Sequence, residues 1–386
     1  MRKWTILCVS AVAWLAPSAV APGLPALYAD YAHLPNAEIL ARLVLTLPML
    51  FIALSGPVVG YAVDRFGRRP VLIFSMLGYS ISGLSGIVLE SLTAILVGRA
   101  FLGVFLAGIL TSVTALIGDY YKGTERRKIV GLQGTFMSLG TVVFVVLGGL
   151  LAEIHWRVAF ALFSYALLIL PAMLLSLHEP LSDSKQLAGK VARQPLTGEP
   201  RRIILSLYIL AFVCMIALFM IPSQTQFFLR EIDILDPTRA GIAVGTFNLS
   251  SGLASLAFPW LHRRFGTLIV FALMFSTVAI GYILVGLSNN YLEVVVAMAI
   301  GGLSMGVFLP NANLAIISNA PEGVRGRALG GLTTSYYLGQ FLSPFYSVPI
   351  GISFGIGTAF VVTGFWLFSI AAMFALLAAC RRLAES

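Results

Sequence analysis

The sequence Gly60-Tyr-Ala-Val-Asp-Arg-Phe-Gly-Arg-Arg-Pro70 lies between two long apolar runs, 43–63 and 70–89, neither of which contains a charged residue. A helix needs roughly 20 apolar residues to cross a bilayer. In lipid, a run of this kind satisfies its backbone amides only by forming a helix. The stretch therefore predicts a short polar turn between two membrane-spanning helices.

The rest of the chain repeats this pattern. Of its 386 residues, 59% are hydrophobic and only 11% are charged, whereas soluble domains carry about 25% charged residues. We therefore predict an all-α integral membrane protein with twelve transmembrane helices. The predicted spans are 5–27, 43–63, 70–89, 91–118, 129–152, 158–177, 203–227, 240–261, 266–287, 294–318, 328–350 and 355–380. The first run is longer than the apolar part of a signal peptide, and we expect it to be a span that is not cleaved.

A polar stretch, 178–202, divides the spans six and six. The two sides resemble each other at an offset near 200 residues, because Asp64-Arg-Phe-Gly67 after span 2 matches Arg263-Arg-Phe-Gly266 after span 8. We predict an N-terminal six-helix bundle over 1–177, a cytoplasmic linker over 178–202 and a pseudo-symmetric C-terminal six-helix bundle over 203–386. Repeats of this kind are typical of secondary transporters, which bind solute between the repeats.

The basic residues predict the orientation. Of the 25 Lys and Arg residues, 20 lie at the termini, in the linker or in alternate turns, all of which would be on one side of the membrane. Basic loops remain in the cytoplasm, so both termini are predicted to be cytoplasmic. The net charge of +9 then reflects topology and not a nucleic-acid partner. The four histidines and three cysteines show no metal-ligand spacing, and we predict neither a metal nor a cofactor.

The turn at 60–70 resembles the G-x-x-x-D-R-x-G-R-[RK] signature of the major facilitator superfamily. Arg99 with Gly103 is similar to a second motif of that family, and His155-Trp-Arg157 is similar to its twelve-span drug:proton antiporter branch. The resemblance implies a secondary active transporter that works by alternating access.

The same resemblance assigns roles to charged residues. The spacing of four residues predicts that Asp64 pairs with Arg68 if the turn stays helical. The resemblance implies a conformational latch that holds the outward-open state, in which Asp64 faces the amino end of span 11 and Arg68 also meets an acid at the end of span 4. The latch residues are Gly60, Asp64, Arg65, Gly67, Arg68, Arg69 and Asp119. A simple positive-inside loop is the alternative. For proton coupling, the resemblance implies Arg99, and Asp30 is the best remaining acid; snorkelling of Arg99 and an exposed loop position for Asp30 are the alternatives.

The sequence departs from the antiporter branch at two points. Span 5 of that branch carries G-x-x-x-G-P-x-x-G-G, and here Phe144-Val145 replaces the central Gly-Pro, which predicts a stiffer seam. Moreover, no carboxylate falls at mid-membrane, where a proton-coupled exporter of cations would need one. Both departures favour an uptake carrier or an uncoupled facilitator as the alternative function.

By superfamily architecture, polar and aromatic residues at mid-membrane are candidates for the solute cavity, although helix–helix hydrogen bonding is the rival role for each. The candidates are Trp14, Thr111, Thr114, Gln133, Met137, Gln224, Asn248, Asn311, Asn313, Tyr336, Tyr337 and Gln340. So few hydrogen-bonding groups predict an uncharged or amphipathic organic solute.

We therefore predict a monomeric carrier in the cell membrane that exports a drug or metabolite, coupled to protons. Two other classes, a membrane-embedded enzyme and a protein that hydrolyses ATP, are disfavoured. The sequence has no cluster of catalytic residues near a membrane face, and it has no phosphate-binding loop for ATP, so an enzyme is not expected.

Overall fold

The structure is a computed structural model that describes residues 2–179, 198–320 and 325–385. These residues form long helices joined by short turns. In chain order the helices are α1 (Arg2–Asp30), α2 (Ala37–Phe66), α3 (Arg68–Val88), α4 (Leu92–Tyr120), α5 (Gly123–Ile154), α6 (Trp156–Ser176), α7 (Pro200–Glu231), α8 (Pro237–Leu287), α9 (Tyr291–Asn319), α10 (Arg325–Phe354) and α11 (Ile356–Glu385).

Helix α8 is two arms joined at one residue. It is 51 residues long, and Gly266 within it has non-helical dihedral angles, φ 72° and ψ 174°. On α9, the neighbouring glycines Gly301 and Gly302 contact Phe247 of the first arm, and Gly301 also contacts Gly281 of the second. Both arms therefore lie beside the same turn of α9, which means that the chain reverses at Gly266. This hairpin holds predicted spans 8 and 9.

Helix α1 is irregular where its prolines fall. Short 3₁₀ turns at Val12–Trp14 and Ala21–Gly23 interrupt it, near Pro17, Pro22 and Pro25. Proline has no amide hydrogen and removes a helical hydrogen bond. The irregular segment leaves Trp14 at the centre of the molecule.

Two hydrophobic cores hold the helices together. One contains residues of α1–α6, and the other contains residues of α7–α11. They interlock, because Val145 of α5 packs into the second core and Phe219 and Phe227 of α7 pack into the first. We call the two groups of helices the N-terminal and C-terminal halves.

The all-α membrane fold is confirmed. Among the described residues, ten helices are long and apolar enough to span a bilayer. One of these is the folded hairpin α8, and the 30-residue helix α10 is not among the ten. Twelve crossings remain a prediction, as do the boundaries 1–177, 178–202 and 203–386. Residues 180–197 of the predicted linker are outside the described residues.

Candidate functional site

A cavity of about 280 Å³ lies between the two halves. Helices α1 and α5 of the N-terminal half line it together with α7, α8, α9 and α10 of the C-terminal half. Its wall includes the aromatic rings of Trp14, Phe219, Phe247 and Tyr336 and the thioethers of several methionines. Among the described residues that line it there is no Asp, Glu, Lys, Arg or His. Such a wall suits an uncharged, largely apolar guest.

Five of the predicted cavity residues line this space: Trp14, Met137, Asn248, Tyr336 and Gln340. The other predicted residues lie outside its wall: Thr111, Thr114, Gln133, Gln224, Asn311, Asn313 and Tyr337. Several of these form helix contacts instead. Asn311 is fully buried, and its amide donates to the Thr267 carbonyl at 3.1 Å while its oxygen lies 3.3 Å from His262 Nδ1.

Four polar side chains of the cavity wall, Ser138, Thr141, Asn248 and Ser255, have backbone partners. Asn248 Nδ2 donates to the Val244 carbonyl at 2.9 Å, and Thr141 Oγ1 donates to the Met137 carbonyl at 2.8 Å. Ser138 Oγ reaches across to the Asn248 carbonyl at 3.3 Å, which joins the halves. The donors of these side chains are thus used within the protein and stabilise the wall, so they contribute little to binding a solute.

The halves are joined by an arginine at one face of the molecule, which we call the opposite face because it lies away from the turns at Gly67 and Gly266. Arg42 of α2 is 3% exposed. Its Nε and Nη2 both donate to Gln224 Oε1 of α7, at 3.0 and 2.9 Å. Gln224 Nε2 donates in turn to Ser347 Oγ of α10 at 2.7 Å. The guanidinium also lies 3.9 Å from the centre of the Phe227 ring. We call Arg42, Gln224, Phe227 and Ser347 the gate cluster.

Helices α5 and α8 close the same face along a second line. A Cβ on Gly149 would lie 2.8 Å from the Pro237 carbonyl oxygen, and a Cβ on Gly241 would lie 2.6 Å from the Val145 carbonyl oxygen. A hydrogen bond from Thr238 to the Glu153 carboxylate joins the ends of these helices. Only small residues allow backbones to approach this closely, so the seam is sealed from Glu153 down to Val145.

Toward the other face, which carries Gly67 and Gly266 and which we call the basic face, the halves separate. Hydrogen bonds between described residues of the two halves reach only as far as Ser138. Beyond it, a Cβ on Gly60, Gly134 or Gly330 would meet nothing within 4 Å. The cavity is therefore closed at the opposite face and opens toward the basic face.

The turn between α2 and α3 is held by two carboxylates. Glu179 accepts hydrogen bonds from the amides of Arg68 and Arg69, at 2.8 and 2.7 Å, where α3 begins. A carboxylate is favoured there by the unpaired amides and the helix dipole. The Arg68 guanidinium lies 3.0 Å from Asp119 at the end of α4. Gly67 has φ 97° and ψ 160°, a conformation almost restricted to glycine.

The remaining latch residues lie apart from this network. Asp64 is exposed, and it forms no ion pair or hydrogen bond with another described residue. Because Gly67 interrupts the helix, Asp64 and Arg68 are not on one helical turn and do not pair. Arg65 donates to the Tyr61 hydroxyl at 2.8 Å. The partners of the turn named above, Glu179, Asp119 and Tyr61, all belong to the N-terminal half. Its predicted role as a latch between halves is not tested.

The sequence profile of the Major Facilitator Superfamily matches residues 6–344, and it matches again over 207–385. The chain belongs to the Major Facilitator Superfamily. The chain is 24% identical to the multidrug resistance protein MdtG of Klebsiella pneumoniae over 90% of this chain and 86% of that protein. It is 30% identical to multidrug resistance protein 1 of Bacillus subtilis, over 46% of this chain and 45% of that protein.

Solved superfamily structures share the fold. A bacterial homologue of the human lysosomal transporter Spinster, in an inward-facing and unoccupied conformation, superposes with a TM-score of 0.79 and 16% identity over 99% of this chain and 97% of that one. The multi-pass membrane fold of the superfamily is thus established for this chain, as is its class as a transporter.

Arg99, the arginine of the second superfamily motif, is 1% exposed. Its Nη2 donates to the Gly83 carbonyl at 3.0 Å, and its guanidinium lies 4.7 and 4.8 Å from the ring centres of Phe160 and Phe163. No described carboxylate forms an ion pair with it. Carbonyl oxygens and ring faces therefore stabilise this charge, inside the N-terminal half and away from the cavity wall. Its predicted part in proton coupling is not tested.

Asp30, the other residue predicted for proton coupling, lies at the exposed end of α1. Its carboxylate accepts a hydrogen bond from Trp156 Nε1 at 2.6 Å. Arg157, beside that tryptophan, donates to the Leu89 carbonyl and to the Tyr31 hydroxyl at 2.5 and 3.2 Å. Asp30 thus helps to join α1 to α6 at the opposite face, and it does not line the cavity.

The altered span 5 motif still gives a tight seam. Phe144, at the position of the motif glycine, turns into the N-terminal half and packs edge-on against Tyr165 with ring centres 5.0 Å apart. Val145 is fully buried, and Gly241 of α8 approaches its carbonyl. The close approach comes from glycines at 149 and 241, so losing Gly-Pro does not open the interface.

Sequence reasoning missed two residues. Arg42 stands at the edge of a predicted span, where the sequence shows it only as a basic residue near the outer end. Its partner Gln224 is 182 positions away, and no local pattern relates them. Glu179 follows span 6 at the start of a stretch predicted to be a linker. A lone carboxylate there gives no signal, because the helix start that it caps is 110 positions distant.

Proposed function

We propose that this superfamily member exports an uncharged or amphipathic organic solute from the cell by alternating access. The observation that carries the proposal is the cavity itself. It is built from both halves, it is open toward the basic face alone, and it has no formal charge among its described lining residues. A rocking motion of the halves about a central site is the general mechanism of such repeats.

The proposed orientation puts the basic face in the cytoplasm. The arginine-rich turns at 64–69 and 263–264 belong to that face, and basic loops are retained inside. Both termini and the linker 178–202 are then cytoplasmic, the protein is in the cell membrane, and it acts as a monomer. The structure would then represent an inward-open state.

The gate cluster gives a direct test of this mechanism. For the cavity to open at the opposite face, Arg42 must leave Gln224. Gln224→Leu removes the acceptor of two guanidinium hydrogen bonds, and we expect a larger population of the state that is open at the opposite face. Opening can be followed by labelling Val348→Cys with an impermeant maleimide in a background without Cys8, Cys214 and Cys380. Val348 is 2% exposed and lines a second cavity beside Arg42 and Phe227 at the opposite face. Equal labelling with and without the Gln224→Leu substitution would contradict the gate.

The driving force is proposed to be the proton gradient, as the resemblance to drug:proton antiporters implies. One observation favours the alternative of an uncoupled facilitator or uptake carrier. Among the described residues no carboxylate lines the cavity, and Arg99 has no acidic partner.

Reconstituted proteoliposomes distinguish these functions. A panel of neutral and charged amphipathic compounds is presented with and without an imposed pH gradient, and protein-free liposomes give the passive leak. Export coupled to protons predicts accumulation only with the gradient and in the direction opposite to proton flow. Equilibration at the same rate under both conditions would remove coupling and leave the facilitator. Transport of charged compounds alone would contradict the proposed solute class.

A further inference from the structure

One side chain of the cavity wall differs from the others in its hydrogen bonding. Gln340 of α10 lines the cavity and is 1% exposed, yet its Oε1 has no hydrogen-bond partner among the described residues. Within that part of the chain its Nε2 donates only to the Met215 sulfur, at 3.9 Å, which is a weak acceptor. Buried amide oxygens are normally paired, so this atom needs an explanation.

Gln224 shows how this chain satisfies a structural glutamine. Its oxygen accepts two hydrogen bonds from Arg42, and its nitrogen donates to Ser347. Gln340 has a similar depth of burial but lacks such partners. Helix–helix hydrogen bonding, which accounts for Gln224, therefore does not account for Gln340.

The unpaired Oε1 of Gln340 also belongs to a residue in the wall of the cavity where the solute is proposed to bind. Other described side chains have an unpaired buried polar atom, but none of them lines the cavity: Arg69, Arg99, Ser112, Thr225, Gln226 and Ser343. The terminal torsion of glutamine is soft, so a small rotation presents Oε1 to the cavity. Tyr336, one turn earlier, lines the same wall, which gives the polar spot an aromatic neighbour.

We infer that Gln340 is a specificity-determining residue that selects solutes bearing one hydroxyl or N–H donor on an otherwise apolar, aromatic body. This inference deepens the proposed function and rests on it. A site built to accept a hydrogen bond rejects the analogue that lacks the donor, because the acceptor is then left unpaired. The surrounding rings and thioethers accommodate the apolar remainder of the solute.

The test compares two probes, 4-hexylphenol and its methyl ether 4-hexylanisole, which differ in the donor. Binding to the purified protein in detergent is measured by quenching of tryptophan fluorescence, since Trp14 lines the cavity. This readout needs no gradient and no transport, so failure of export or of coupling is seen separately. We expect the wild type to bind the phenol about tenfold more tightly than the ether.

Gln340→Met keeps the length of the side chain and removes the strong acceptor. We expect the phenol-to-ether ratio to fall to near one in this variant, while the ether binds as well as before. Asn313→Leu is the matched control, because it removes an amide from the neighbouring helix outside the cavity wall, and it should keep the tenfold ratio. Size-exclusion chromatography confirms that both variants are folded.

Three results would overturn the inference. The first is the same preference in wild type and Gln340→Met. The second is a wild-type preference for the ether, which would mean that the amide presents its NH₂ group to the cavity. The third is a lack of binding of both probes to a wild-type protein that still transports other solutes, which would reject this solute class while export stands.

Discussion

The two halves of the molecule contain the same turn, but the side chains that surround the turn differ between them. In the N-terminal half, Asp64-Arg-Phe-Gly67 ends with Gly67 at φ 97° and ψ 160°. In the C-terminal half, Arg263-Arg-Phe-Gly266 ends with Gly266 at φ 72° and ψ 174°. Both glycines have dihedral angles that other residues almost never adopt. The backbone geometry is therefore common to both copies.

The side chains around the two turns differ. A Cβ on Gly67 would lie 2.7 Å from Glu179 Oε1, whereas a Cβ on Gly266 would meet nothing within 4 Å. At an offset of 200 residues from Asp119, which pairs with Arg68, stands Asn319, whose amide donates to its own helix at the Ala315 carbonyl. The comparison indicates that the hairpin requires glycine in both halves, whereas among the described residues a charged network surrounds the N-terminal turn alone.

The largest expected effect separates the two glycines. Gly67→Ala combines backbone strain with displacement of the Glu179 carboxylate from the amides of Arg68 and Arg69, and we expect a loss of about 2–3 kcal/mol in the free energy of unfolding. Gly266→Ala adds strain alone, about 1–2 kcal/mol. Unfolding in mixed micelles with increasing SDS measures both. Equal losses would show that Glu179 contributes nothing to the requirement at position 67.

The next largest effect on stability is expected for the loss of the Glu179 carboxylate, which caps the start of α3. Glu179→Ala leaves the amides of Arg68 and Arg69 without their acceptor, and the loss of a helix cap costs about 1 kcal/mol. Hydrogen exchange of the first turn of α3 should rise in this variant. Glu90→Ala, at another exposed helix end, is the control and should change neither quantity. An unchanged exchange rate at Arg68 would contradict the cap.

The ion pair should contribute less. The Arg68 and Asp119 side chains are 14% and 28% exposed, so solvent screens their attraction, and a coupling energy of about 0.5–1 kcal/mol is expected. A double-mutant cycle with Arg68→Gln and Asp119→Asn isolates this coupling. A coupling energy of zero would mean that the ion pair contributes nothing to stability and that Glu179 alone stabilises the turn.

The smallest effect on stability, and the most informative about the cycle, is predicted for Gly60→Ala. Nothing lies within 4 Å of a Cβ there, and alanine favours a helix, so stability should change by less than about 1 kcal/mol. If this turn meets the other half when the opposite face opens, transport should fall even though the protein is folded. Normal transport by Gly60→Ala would argue against a close contact at this glycine in any state.

Much of the fold could be predicted from the sequence, because lipid makes hydropathy and charge nearly sufficient to locate helices. The turn at Gly67 and its echo at Gly266 were also visible, since both depend on a glycine in a recurring local sequence. The cavity was harder. Trp14, Met137, Asn248, Tyr336 and Gln340 line the cavity as predicted, yet an equally polar residue on another cavity-lining helix, Asn311 of α9, faces other helices. Hydropathy does not report the rotation of a helix about its axis.

Contacts between distant segments could not be predicted from the sequence, for the same reason. The partnership of Arg42 with Gln224 and that of Glu179 with the start of α3 depend on how whole helices pack. The pairing expected between Asp64 and Arg68 assumed a continuous helix, and the backbone at Gly67 breaks that helix. Arg99 was placed correctly at depth, but the aromatic rings that stabilise it belong to α6 and are 61 or more positions away.

The burial of Arg42 makes hydration a part of the conformational cycle. When the halves part at the opposite face, the guanidinium loses both hydrogen bonds to Gln224 and keeps only Glu38 of its own helix, through the carbonyl at 2.9 Å and a carboxylate oxygen at 3.9 Å. The N–H groups that faced Gln224 are then left without an acceptor, which is costly for a buried charge. Water must therefore enter the crevice beside Phe227 as the bonds break. The free-energy barrier to opening then depends partly on the free energy of hydrating the narrow crevice beside Phe227.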